Sequence, residues 1–231
     1  MKIAVLGTYD GILVGRFVGA LLAAGVAIDG ILLDAKATDP RDLRIHEERT
    51  RGRLPPVPLH EFAPARIPMF AVASHNDATT AQLVKERGID VLVNAGTPRI
   101  LKAAMLSAPS LGVLNCHPGL LPDYRGSSCV EWALLRGDPV GNSVHLMTEG
   151  IDEGDVLMAE AVPVPAGASY PAVRTAVYEA GFALMAKACR GLADGRYHRA
   201  DFRRQQGGAY HKPIDALSME QVMQRYPEAA S

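Results

Sequence analysis

The sequence predicts an α/β domain built on a doubly wound, mostly parallel sheet, with a short C-terminal extension. Three observations predict it. Apolar runs of strand length alternate with amphipathic runs of helical length from Met1 to Met147, and glycines stop several of the helical runs. After Asp152 the rhythm changes to one strand, one long helix and a polar tail.

In chain order, Ile3–Leu6 reads as a buried strand ending at Gly7. Residues Ile12–Ala24 carry Leu13, Phe17, Ala20, Leu21 and Ala24 at helical spacing and are stopped by Gly25. Ile28–Leu33 is a second strand. The stretch Arg41–Arg53 sets five arginines against Asp42, Glu47 and Glu48, then runs into Pro55, Pro56 and Pro58. It reads as a solvated helix and loop, with a mobile or phosphate-contacting loop as the alternative. Strands at Pro68–Ala73 and Val91–Val93 flank a helix over Asp77–Arg87 that Gly88 stops. Leu111–Leu114 is a strand, Ser127–Arg136 a short helix closed by Gly137, and Ser143–Met147 a strand. Val156–Val164 reads as antiparallel, ending among Pro163 and Pro165. Ala172–Leu192 is one long helix. This divides the chain into a main domain over 1–195 and an extension over 196–231.

The chain has 231 residues, with 24 Lys+Arg against 25 Asp+Glu and a net charge of −1. With 48% hydrophobic and 21% charged residues, it reads as one globular domain that can bury a core unaided. The balanced charge argues against phosphate-driven nucleic-acid binding. Cys116, Cys129 and Cys189 form no CxxC and have no His at zinc-finger spacing, so neither a disulfide framework nor a structural zinc is expected. The apolar run after Met1 is too short for a secretion signal, and no window is long enough for a membrane span. The expectation is a cytoplasmic protein.

The segment most able to do chemistry is Leu111-Gly-Val-Leu-Asn-Cys-His-Pro-Gly-Leu-Leu-Pro-Asp-Tyr-Arg-Gly126. Asn115 and His117 lie two residues apart at the carboxyl end of a strand, so their side chains point to one side. In open α/β sheets ligands bind at that end. The Asn NH₂ can donate to a developing oxyanion, and the His can add charge or move a proton. Asp152, between Gly150 and Gly154 after the next strand, can hold His117 if its loop folds back, raising the imidazole pKa. Taken alone, a His at a strand end is more often structural. Ser127 and Ser128 sit in no G-x-S-x-G elbow, and Cys116 points to the opposite face. His117, His145 and Asp152 have no zinc-type spacing, and His145 is expected to pack inside.

Asn115-Cys-His117-Pro-Gly-Leu-Leu-Pro122, Tyr124-Arg-Gly126, Ser143-Val-His145 and Gly150-Ile-Asp152-Glu-Gly154 together resemble the folate-dependent formyltransferases. That family includes enzymes acting on glycinamide ribonucleotide, methionyl-tRNA and nucleotide-linked amino sugars, and a formyltetrahydrofolate hydrolase. The resemblance runs from Met1 to about Leu192 and is strongest between Asp90 and Val164. It implies a Rossmann-like fold and catalysis by Asn115, His117 and Asp152. The formyl donor would be 10-formyltetrahydrofolate, with no metal and no covalent intermediate. Pro98, Arg99, Ile100 and Leu101, with Glu149, Gly150 and Ile151, would hold the folate. Thr8, Tyr9, Asp10, Tyr124 and Arg125 would meet the acceptor.

Gly119 stands where the family usually has Ser. The turn after the first strand, Gly7-Thr-Tyr-Asp-Gly-Ile-Leu-Val-Gly15, is poor in small hydroxyls and holds Asp10, which makes it a poor phosphate cradle. A small-molecule amine acceptor is expected, in the manner of the sugar-nucleotide enzymes. Trp132-Ala-Leu and the tail Gln205-Gln-Gly-Gly-Ala-Tyr-His-Lys212 add to that likeness. Glycinamide ribonucleotide, water as in the hydrolase, or folate binding without catalysis are the alternatives. Val156–Val164 or the tail could support a homodimer.

Overall fold

The computed structural model describes residues 1–228; the last three residues of the predicted extension lie outside the described residues. In order the elements are β1 (Ile3–Thr8), α1 (Val14–Ala23), β2 (Gly30–Asp34), α2 (Pro40–Thr50), β3 (Met69–Val72), α3 (Ala78–Arg87), β4 (Val91–Asn94), α4 (Ala103–Leu106) and β5 (Gly112–His117). They continue with β6 (Arg125–Gly126), α5 (Cys129–Arg136), β7 (Gly141–Leu146), β8 (Val156–Ala161), α6 (Tyr170–Ala193), β9 (Tyr210–His211) and α7 (Ala216–Arg225). Short 3₁₀ turns lie at Leu59–Ala65 and Arg199–Asp201.

Seven strands form one sheet in the order β3-β2-β1-β4-β5-β7-β8. The first five are parallel; β7 and β8 join antiparallel. The doubly wound prediction therefore holds, and the changed rhythm after Asp152 belongs to an antiparallel edge. Alternation along each strand feeds two cores. Ile3, Val5, Ile31, Leu33, Val93 and Leu114 pack with α1 and α6. Ala4, Leu6, Leu32, Leu92 and Val113 face α3 and α4 on the other side. Phe17 of α1 meets Phe182 of α6 edge to face at 4.9 Å, a pairing worth about 0.5–1.5 kcal/mol beyond its buried area. A third cluster joins α5, α6 and α7 around Tyr170, Val130, Leu134 and Val222.

Local chemistry fixes the boundaries. Asp39 caps α2, its carboxylate accepting from the Arg41 N–H, and Pro40 follows where no N–H is needed. Gly88 ends α3 at φ +63°, where a side chain would be strained. The Arg41–Arg53 stretch is only partly solvated: His46 and Thr50 are buried in it, and Arg49 reaches inward to Glu131. The extension is not merely a polar tail. Its β9 pairs with β6, and α7 packs under α5. No described helix is long and apolar enough to cross a membrane.

Candidate active site

β7 runs antiparallel beside β5, so Asn115 lies opposite His145 and His117 opposite Ser143. Alternation puts Asn115 and His117 on the face of Val113, whereas Cys116 turns toward α6, its Sγ donating to the Gly181 carbonyl at 3.2 Å. Between β7 and β8 the chain makes an excursion that brings Asp152 back over the end of β5. One Asp152 oxygen lies 3.3 Å from His117 Nδ1 and accepts the Gly126 N–H at 2.9 Å. The other lies 3.5 Å from His145 Nε2.

The amide of Asn115 is oriented from both sides. Asn94, at the end of β4, donates to Asn115 Oδ1 at 3.0 Å while its own oxygen accepts the N–H groups of Gly96 and Thr97. Asn115 Nδ2 is 3.2 Å from His145 Nε2. His145 Nδ1 meets the Leu146 carbonyl at 2.8 Å, and its Nε2 lies between Asn115 Nδ2 and the second Asp152 oxygen. The second Asn115 N–H has no protein partner among the described residues.

His117 is 4% exposed, and its Nε2 donates to the Tyr124 carbonyl at 2.7 Å. Burial pushes the imidazole below its usual pKa; Asp152 and the Tyr124 carbonyl pull upward, and His145 and Arg174 add to the fall. The expected rise therefore does not occur, because desolvation outweighs the carboxylate. Burial works on Asp152 in the upward direction, but His145, His117 and the Gly126 N–H together hold it below the usual carboxylate value. His117 is then a neutral base at neutral pH. With Nε2–H committed to Tyr124, its Nδ1 lone pair faces a carboxylate, an arrangement that one added proton would relieve.

The other predicted residues separate into groups. Pro98, Arg99 and Ile100 line a cavity of about 540 Å³ together with Gly11–Leu13, Lys36, Arg49 and Tyr178. Leu101 instead packs in the core under α4. The Arg99 guanidinium is taken up by Asp34 at 2.7 and 2.9 Å, which pins this loop to the end of β2. Thr8 and Asp10 do not line that cavity: the Thr8 hydroxyl meets Thr38, and the Asp10 carboxylate accepts from the Thr38 N–H and hydroxyl, so both serve the turn itself. Tyr9 is exposed. Tyr124 faces inward, its hydroxyl bonded to Asp138 and its ring stacked on His211, and only its carbonyl meets the site. Arg125 lines a second cavity of about 510 Å³ with Met147, Thr148, Glu153 and Gln205. Glu149, Gly150 and Ile151 sit at the tip of the Asp152 loop, with Ile151 exposed and Gly150 accepting from Thr148.

Sequence reasoning missed the part played by His145 and Asn94. His145 is buried as expected, yet it bridges Asn115 and Asp152. A polar residue at the carboxyl end of β4, next to β5, was the available signal for Asn94. Among the described residues no group of His, Cys, Asp or Glu is arranged to hold a metal.

The chain is similar to known proteins along most of its length. A family model described as formyl transferase matches residues 1–189. A methionyl-tRNA formyltransferase of Phenylobacterium zucineum is 33% identical over 198 residues, which cover 85% of this chain and 61% of that protein. One from Parvibaculum lavamentivorans is 32% identical, over 84% of this chain and 60% of that protein. The chain thus spans about three-fifths of those relatives. Among solved structures, glycinamide ribonucleotide transformylase 1 of Symbiobacterium toebii superposes with a TM-score of 0.66 at 24% identity, covering 89% of this chain and 93% of that one. A sugar N-formyltransferase of a Shewanella species gives 0.63 at 18% identity, covering 98% and 87%. On the strength of the family match across its sheet, its Asn-x-His strand and its Asp152 loop, the chain belongs to the formyl transferase family.

Proposed function

We propose that the chain transfers a formyl group from 10-formyltetrahydrofolate to the amine of a small-molecule acceptor, with Asn115, His117 and Asp152 as its catalytic residues. The observation that carries this reading is the continuous chain of contacts Asn94–Asn115–His145–Asp152–His117 at the end of β5, within the segment that matches the family. Asn115, its carbonyl locked by Asn94, directs a free N–H toward an oxyanion formed at the formyl carbon. The neutral His117, facing Asp152, takes the proton that the attacking amine must shed, and the carboxylate stabilises the imidazolium that results; as the tetrahedral intermediate collapses, the bond from the formyl carbon to the folate N10 breaks and that proton passes to the leaving nitrogen. Folate contacts would come from the loops 98–101 and 149–151.

A small acceptor is favoured by the net charge of −1 and by the mixed lining of the 540 Å³ cavity, which includes Lys36 and Arg49 as well as Asp39 and Asp42. The test is a screen of amines following tetrahydrofolate formation, with nucleotide-linked amino sugars, glycinamide ribonucleotide and methionyl-tRNA in the panel. Asn115→Ala is expected to cost about 10²–10³ in rate, as removal of an oxyanion donor does. Full activity in Asn115→Ala or His117→Ala would overturn the site assignment. Turnover on methionyl-tRNA alone would overturn the small acceptor, and formate release without any amine would replace the transferase reading by a hydrolase.

A further inference from the structure

Asp152 is a non-glycine residue at φ +53°, in the left-handed region that side chains adopt only when their surroundings impose it. Its own loop supplies little of that constraint, being largely exposed at Glu149 and Ile151. The constraint comes from the C-terminal extension. Arg203 and Val156 exchange both backbone hydrogen bonds, at 2.8 and 2.9 Å, so the extension runs beside the chain where it leaves the loop. Two residues further on, Gln205 turns inward. Its Nε2 donates to the Asp152 carbonyl at 2.8 Å and to the Gly154 carbonyl at 2.7 Å, using both amide hydrogens on one loop. Its Oε1 is buried without a partner among the described residues, so the side chain is oriented there by these two bonds. The extension then pairs β9 with β6, which fixes Gly126, whose N–H holds the Asp152 carboxylate. Backbone and side chain of Asp152 are therefore both held from residues beyond α6.

We infer that Gln205 is a positioning residue: it clasps the loop so that the Asp152 carboxylate stays against His117. The inference rests on the reading of Asp152 and His117 as a working pair, and it goes beyond that reading by assigning the clasp to the extension. Gln205 touches neither imidazole nor reacting atoms. It acts through the loop backbone at Asp152 and Gly154.

The experiment uses the full chain and needs no acceptor. The His117 imidazole is followed by NMR through a pH titration in wild type, Gln205→Met, Asp152→Asn and the double variant. The groups facing His117 are Asp152 from the loop, His145 from β7 and Arg174 from α6. Only the first is changed by these substitutions. Loss of the Asp152 charge is expected to lower the His117 midpoint by about 1–3 units. Gln205→Met, which keeps length but donates nothing, should lower it in the same direction by about half a unit, and should add nothing in the Asp152→Asn background. A merely structural glutamine would alter stability and leave the midpoint in place. If Gln205→Met does not fold, Gln205→Ala, which removes both donors and adds no charge, should give the same shift or a larger one. An unmoved midpoint in the folded Gln205 variant, or a shift that persists fully on top of Asp152→Asn, overturns the clasp. An unmoved midpoint in Asp152→Asn overturns the pair itself, a result distinct from the other two.

Discussion

Arg174→Met tests how the charged cluster behind the site is balanced. Glu131 of α5 and Arg174 of α6 are 0% and 2% exposed, with Arg174 Nε 3.6 Å from Glu131 Oε1. The same oxygen accepts from the Tyr170 hydroxyl at 2.5 Å and lies 3.3 Å from Arg49 Nε. Arg174 also donates to the Tyr178 hydroxyl and lies over that ring. Burial alone would raise the Glu131 carboxyl, and the two arginines reverse that and keep it ionised. Methionine preserves most of the stem and removes the charge. Breaking a buried pair costs about 3–5 kcal/mol because the remaining ion has lost its partner. Arg49 stays in place beside Glu131, so the lower figure, about 3 kcal/mol, applies here. For a chain of this size that corresponds to a fall in Tm of about 6–12 °C. Glu131→Gln added to Arg174→Met removes the stranded charge and should restore most of the loss. Urea unfolding with an unchanged m-value, backed by calorimetry, reads both effects. A single variant within about 1 kcal/mol of wild type, or a double variant as damaged as the two singles summed, would refute the reasoning.

Three further outcomes are expected. Burial alone would raise the Asp34 carboxyl, but the hydrogen bonds from Arg99, the His75 N–H and the Lys36 N–H hold it down at about 2. A depressed folded pKa means stability present above the unfolded value and lost as pH falls, so about 2 kcal/mol should disappear between pH of about 4 and 2. Arg99→Met should lose most of that dependence in a urea-midpoint series, and an unchanged slope would count against the pair. Three buried histidines, His46, His75 and His117, are likewise held below their usual value by burial, so stability should already decline as pH drops below about 6.5. The thiols of Cys116, Cys129 and Cys189 are each pushed up to about 12, chiefly by burial. An aromatic disulfide reagent at mildly alkaline pH should label none of them in the native protein and all three in denaturant; stoichiometric labelling within minutes would contradict the burial argument.

The sheet and its long helices were legible because their burial follows one period. Leu13, Phe17 and Leu21 recur at helical spacing, and strands such as β1 are buried throughout behind a near-continuous apolar run, as strands covered on both faces are. The α7 helix was missed: Val222 is its one fully buried residue, and Met219 and Met223 lie among Glu220, Gln221 and Gln224. Asp215, whose carboxylate accepts from the Ser218 N–H, was the capping signal available for it. In the site, Asn115 and His117 were readable from a spacing of two. The bridge through His145 was not, because it depends on the register of two strands that pair across a long connection. The direction of the His117 shift was also beyond reach, since it is a contest between burial and charge that only three-dimensional packing decides.

The clasp on the Asp152 loop has a consequence for the order in which the molecule is made. Gln205 and Asp152 are separated by 53 residues, and the whole of α6 lies between them. A chain leaving the ribosome presents Asn115, His117, His145 and Asp152 long before Gln205 emerges. The parallel strands and α1 can collapse early, since domains fold as units from the N-terminal side during synthesis. The left-handed turn at Asp152 has to wait for a contact of high sequence separation, the kind that forms slowly. Alignment of Asp152 against His117 thus comes late for the nascent chain, and a stalled chain ending in α6 would carry both side chains without the clasp that sets them against each other.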